Sequence, residues 1–128
     1  MRNLVIVGLG AVTLLVAPAY AQDLDKGERV FKKCQACHAV GEGAENKVGP
    51  QLNGIVGRAA GAAADFSYSD ALMAKAEEGL IWDEANLDAF LTKPKDFLDG
   101  TKMTFPGLRK EDDRVNLIAY LATFGDGS

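Results

Sequence analysis

Both cysteines and the only histidine of this 128-residue chain fall within five consecutive positions, Cys34-Gln35-Ala36-Cys37-His38. Residues three and four apart on a helical turn share a face, so two thiols and one imidazole project to the same side. No other feature constrains the chain so much, because whatever these groups hold must lie against one short turn. Zinc takes four ligands, and two cysteines with one histidine leave the fourth to a distant carboxylate. A thioredoxin-like dithiol needs a βαβ setting. A plain disulfide leaves the histidine unexplained.

The surrounding chain reads as short helices joined by long connections. Asp25, with Glu28 three residues on, resembles a helix-capping pair, and Gly27, Val30, Phe31 and Cys34 follow at helical spacing. A second helix is expected to start at Asp83, bury Leu87, Phe90 and Leu91, and stop before Lys93-Pro94. The last is expected from the acidic Glu111-Asp112-Asp113 to Phe124, with Leu117, Tyr120, Leu121 and Phe124 in one stripe ended by Gly125. A weaker helix fits Asp70 to Glu78, and no stretch alternates as a strand does. The expected class is all-α.

Residues 41–61 contain six glycines and little periodicity, too long for an idle loop in a compact domain. Val48, Pro50, Leu52, Ile55 and Val56 make this stretch too apolar for easy disorder. The segment is expected to pack on something large and apolar that is not protein. Covalent haem meets that need and explains the five-residue motif. Two thiols add to the two vinyl groups as thioethers, the imidazole binds iron from the same side, and C-x-x-C-H is the attachment signature of c-type haem.

The N-terminus sets the compartment. Arg2, the fourteen-residue apolar run from Leu4 to Ala17, and Ala19-Tyr20-Ala21 before polar Gln22 have the layout of a secretory signal peptide. An uncleaved anchor is the rival, but the run falls short of the roughly 20 residues that span a bilayer. Cleavage after Ala21 divides the chain into a signal peptide, 1–21, and one domain, 22–128. The net charge of −4 becomes one unit more negative when Arg2 leaves, which argues against nucleic acid as a partner.

With haem in place, the second axial ligand follows from counting. His38 is the only histidine, and of three methionines Met1 leaves with the signal. Met73 sits at a helical position where methionine usually fills core. Met103, in the loop from Gly100 to Gly107, is the expected ligand. Iron filled on both sides has no open place for oxygen or peroxide, which points to electron transfer.

The motifs also resemble a known family. Cys34 to His38, Val48-Gly-Pro50-Gln-Leu52, Gly54-Ile-Val-Gly-Arg58, Phe66-Ser-Tyr68-Ser-Asp70, Ile81-Trp82, Gly100-Thr-Lys-Met103 and Leu117-Ile-Ala-Tyr-Leu121 occur in family order. Together they resemble class I cytochromes c, in particular the soluble c-two type of proteobacteria, close kin of the mitochondrial protein. The resemblance implies the cytochrome c fold, short helices and glycine-rich loops wrapped around one covalent haem c. It implies that His38 donates its second ring N–H to the carbonyl of Pro50. It also places Arg58, Tyr68, Trp82 and Thr101 near the haem propionates, where buried carboxylates need donors. Gly27 and Tyr120 match the crossing of the first and last helices. Phe90 stands where many relatives carry a tyrosine near the axial sulfur, and Leu72 replaces a polar residue in that region.

By the same resemblance the protein is a periplasmic one-electron shuttle and not an enzyme. Its donor is the quinol:cytochrome c oxidoreductase complex, and its acceptor a photosynthetic reaction centre, a terminal oxidase, or both. Lys33, Lys47, Lys95, Lys102, Arg109 and Lys110 match family positions around the haem edge, a basic front for transient docking of a monomer on membrane redox complexes. The alternative within this class is a dedicated donor or acceptor for one periplasmic dehydrogenase or reductase. A small haem enzyme or sensor is a more distant one, since no second histidine is present to act as acid or base.

Overall fold

The structure is a computed structural model and describes Gly8, Gly10 and residues 22–125. The expected signal peptide, those two glycines apart, lies outside the described residues. Five helices follow in order: α1 (Leu24–Phe31), α2 (Asp70–Glu77), α3 (Glu84–Thr92), α4 (Pro94–Phe97) and α5 (Glu111–Ala122). The described residues contain no strand, only an isolated antiparallel bridge between Ala59 and Ile81. The all-α reading holds.

Local chemistry sets the helix ends. The Asp23 carboxylate accepts from the Lys26 N–H at 3.1 Å and caps α1. The cap is thus two residues earlier than the Asp25–Glu28 pair, and Asp25 lies in the first turn, where the helix dipole favours an acid. Ser69 caps α2 and Asp83 caps α3 in the same way. Lys93 is extended, as a residue before proline should be, and Pro94 then opens α4 at its first position. The proline therefore restarts a helix as well as ending one. α5 stops at Ala122, two residues short of Phe124, whose carbonyl is used instead to accept from Gly54 N–H at 3.0 Å.

α1 and α5 cross at Gly27. A Cβ there would lie 2.7 Å from Tyr120 Cβ and closer still to the Asn116 carbonyl oxygen, so only glycine lets the two backbones meet. The Asn116 side chain, itself buried, accepts from the Asp23 N–H at 2.9 Å and ties the start of α1 to α5. Phe31 and Tyr120 pack with ring centroids 5.7 Å apart. The core continues through Leu117, Ile118 and Leu121 of α5 to Leu87 and Leu91 of α3, and on to Ile55, Trp82 and Leu108. Phe90 and Phe97 flank Trp82, with centroids 5.1 and 6.0 Å away.

One expectation fails on the surface. Met73 is 40% exposed, with its sulfur beside Gly61, so it does not fill core. Val48 is 80% exposed and, unlike Leu52, Ile55 and Val56, joins no apolar protein cluster among the described residues, in keeping with a stretch expected to pack on something other than protein.

Candidate functional site

The motif sits just beyond α1. Sequence spacing placed Cys34 on the helix, but the regular helix ends at Phe31 and a run of turns carries the chain on to Cys37. Cys34 N–H donates to Phe31 O at 2.7 Å, while Cys37 and His38 both donate to Cys34 O, at 3.1 and 2.9 Å. Those two bonds keep the three side chains on one turn even outside a helix. Both thiols are unpaired and half-buried. Burial, helped by the neighbouring Cys37, pushes the Cys34 thiol up to about 11, so it stays protonated at neutral pH.

His38 Nδ1 lies 2.7 Å from the Pro50 carbonyl oxygen, the partner the resemblance implies. A carbonyl can only accept, so Nδ1 carries the proton and Nε2 keeps its lone pair. Burial pulls the His38 pKa below its usual value; the Pro50 hydrogen bond opposes this and the positive Arg58 adds to it. The ring is therefore held neutral, in the tautomer that offers Nε2 to a metal.

Residues 41–61 are ordered by their own amides, which the sequence reading missed. Asn53 clasps Gly41 twice, accepting from its N–H at 2.8 Å and donating to its carbonyl at 2.9 Å. Asn46 accepts from Gln51 N–H and donates to Ala64 O, and Gln51 accepts from Asn53 N–H at 2.7 Å. Three carboxamides within eight residues were the available sign, since such side chains bond to nearby backbone in loops.

Arg58 continues this network. Its two terminal nitrogens donate to Asn53 O and Gln51 O at 3.0 and 3.1 Å, but its buried Nε has no partner among the described residues. Burial pulls the guanidinium below its ordinary pKa, an effect opposed by Tyr68. Trp82 is joined to this strip through backbone, donating to Arg58 O at 2.8 Å and accepting from Gly57 N–H at 2.7 Å. The Tyr68 hydroxyl accepts from Ala63 N–H at 2.8 Å. Thr101 Oγ1 accepts from Met103 N–H at 3.2 Å. Arg58 and Trp82 are thus brought together. Thr101 and Met103 are tied to each other, with no side-chain hydrogen bond to Arg58, Tyr68 or Trp82 among the described residues.

All six cations of the expected docking front, Lys33, Lys47, Lys95, Lys102, Arg109 and Lys110, are exposed. None forms an ion pair among the described residues. Lys47 reaches across to the Gln35 carbonyl at 3.1 Å, which places its charge beside the cysteine turn.

These groups suit a covalent haem: two free thiols and a neutral imidazole on one turn, and an unspent buried donor on Arg58. The cytochrome c family model matches residues 24–125. The chain belongs to the cytochrome c family. Cytochrome c2 of Agrobacterium tumefaciens is 54% identical over 99 residues, covering 77% of this chain and 89% of the relative. Cytochrome c2 of Blastochloris viridis is 46% identical over 129 residues, covering 100% of this chain and 98% of its own. The solved structure of cytochrome c2 from Rhodospirillum centenum superposes with a TM-score of 0.77 at 42% identity, covering 81% of this chain and 99% of that one. The fold is that of cytochrome c, of the class I bacterial c2 type, with one covalently attached c-type haem. Members of this group are electron carriers.

Proposed function

We propose that the chain is a periplasmic one-electron shuttle, exported with residues 1–21 removed. It runs between the quinol:cytochrome c oxidoreductase complex and a photosynthetic reaction centre or terminal oxidase, and catalyses no reaction of its own. When bound, the haem supplies a Fe(III)/Fe(II) couple whose potential a histidine–methionine pair raises. The chain's own residues hold and shield that group. Cys34 and Cys37 are the thioether anchors, and His38 and Met103 the axial ligands. Pro50 fixes the imidazole; Arg58, Tyr68, Trp82 and Thr101 serve the propionates, with the free Arg58 Nε as the donor in reserve.

The observation that carries this reading is the 2.7 Å bond from His38 to Pro50, which leaves one neutral imidazole nitrogen free on the turn that bears both thiols. A redox titration of the purified red protein tests it. A low-spin c-type spectrum, one-electron behaviour and a clearly positive midpoint are expected. A high-spin spectrum or a strongly negative midpoint would remove Met103 as the ligand.

Docking rests on six exposed cations, unpaired among the described residues, whose positions match those around the haem edge in the family, on a chain that is acidic as a whole. Encounter steered by such a front is fast and screened by salt. The rate of electron exchange with an acidic membrane partner should therefore fall as ionic strength rises. A rate indifferent to salt would sink the basic-front assignment while leaving the haem ligands untouched.

A further inference from the structure

We infer that Gly49 is a positioning residue for the His38 ring: with Pro50 it sets the angle at which the imidazole plane meets the haem. The inference rests on His38 being an iron ligand. A Cβ built on Gly49 would come closest to His38 Cε1, 2.7 Å from Nδ1 and 2.9 Å from Nε2. Nearly equal approach to all three atoms places it over the face of the ring, since an atom in the ring plane beside Cε1 would stand farther from both nitrogens. The Gly49 backbone is thus a wall against one face of the imidazole.

This glycine is not needed for its backbone conformation. Its φ lies outside the left-handed region that Gly41, Gly43, Gly54 and Gly57 occupy, so no positive φ reserves the position for glycine. Only the ring excludes a side chain.

The wall is also held still. Gly49 N–H donates to Cys37 O at 2.8 Å, and Gly49 O accepts from Lys47 N–H at 2.9 Å. Residues 49–50 are therefore laced to residues 37–38 by two bonds, Gly49 to Cys37 and His38 to Pro50. The bond at Nδ1 fixes where one corner of the ring points but lets the plane roll about that direction. The flat contact at Gly49 limits the roll. Because the orientation of an axial imidazole plane splits the iron d orbitals, it is readable in the oxidised protein apart from any electron-transfer rate.

The test uses the haem-loaded full protein. Reduced wild type should show a nuclear Overhauser contact between a Gly49 α-proton and His38 Hε1. Oxidised Gly49→Ala should show a rearranged pattern of haem-methyl shifts and a changed g-anisotropy. The control is Gly79→Ala, past the end of α2, whose φ is +91° and whose Cβ would meet nothing within 4 Å. That variant should melt at a lower temperature and keep the wild-type pattern. If Gly49→Ala does not accumulate with haem, the wild-type Overhauser contact decides alone. Absence of that contact, or a wild-type shift pattern in Gly49→Ala, overturns the inference even if His38 ligates iron. A wild-type spectrum without a histidine ligand overturns the function proposed above as well.

Discussion

Around the crossing of α1 and α5, protein packs on protein and the polar groups there find partners within the chain. Gly27 admits the Asn116 backbone, Asn116 bonds Asp23, and Phe31 meets Tyr120. Around His38, by contrast, backbone and amide side chains are laced into a frame, and some groups are left over. Arg58 Nε is buried without a partner among the described residues, two thiols stand unpaired, and Val48 lies in the open. One region is complete in itself. The other is shaped for something the chain must acquire.

The largest test of that contrast is to deny the chain its haem anchors. In Cys34→Ala/Cys37→Ala, covalent haem should be lost and the yield of red protein should collapse. Amide exchange should then show residues 41–61 unprotected while α1 and α5 keep residual helicity. Equal protection in both regions would break the comparison, because the loop frame would then be self-sufficient.

Next in size is Gly27→Ala. Overfilling a packed contact costs about 1–3 kcal/mol, and here the obstacle is a backbone carbonyl that cannot rotate aside. A loss of about 3 kcal/mol is expected, a fall in Tm of roughly 12–24 °C for a domain of this size. Thermal unfolding of the haem-loaded protein reads it, and a loss under about 1 kcal/mol would mean the helices can slide apart freely. Asn116→Ala should cost less, about 1–2 kcal/mol, since it orphans the Asp23 N–H without altering the Gly27 contact. Asn116→Asp keeps the acceptor oxygen and should recover most of the loss in a urea titration.

The two regions also differ in how far they could be read from the sequence. Helices announce themselves by period and cap: Asp83 before Leu87 and Leu91, or the acidic start of α5, needed no structure. The motif itself, Cys34 to His38, was legible because so few residue types do that chemistry. The frame around it was not. The oxygens of Asn46, Gln51 and Asn53 accept from backbone N–H groups with no period, so residues 41–61 showed that they must pack on something but not how their own amides frame them. Pro94 was read as a stop, although the same fixed φ that ends one helix suits the first position of the next. Gly49 is hidden for another reason: exclusion by a ring eleven residues away leaves no pattern in neighbouring positions.

The smallest effect is expected where the two regions touch. Arg114 of α5 bonds Asp88 of α3 at 2.6 Å and donates to the carbonyls of Leu108 and Arg109 at 2.9 and 3.0 Å, where the Met103 loop returns to the core. The Asp88 side chain is 45% exposed and that of Arg114 only 11%, so the pair is well solvated on its acidic side. Asp88→Asn keeps the shape and leaves Arg114 both backbone acceptors. It should cost no more than about 1 kcal/mol, and less as salt is added. The midpoint potential should not move, because Arg114, and with it the end of the Met103 loop, stays anchored. A measurable change in midpoint for Asp88→Asn would show that this bridge passes strain from the helical side to the Met103 loop, and that the two regions are less independent than their packing implies.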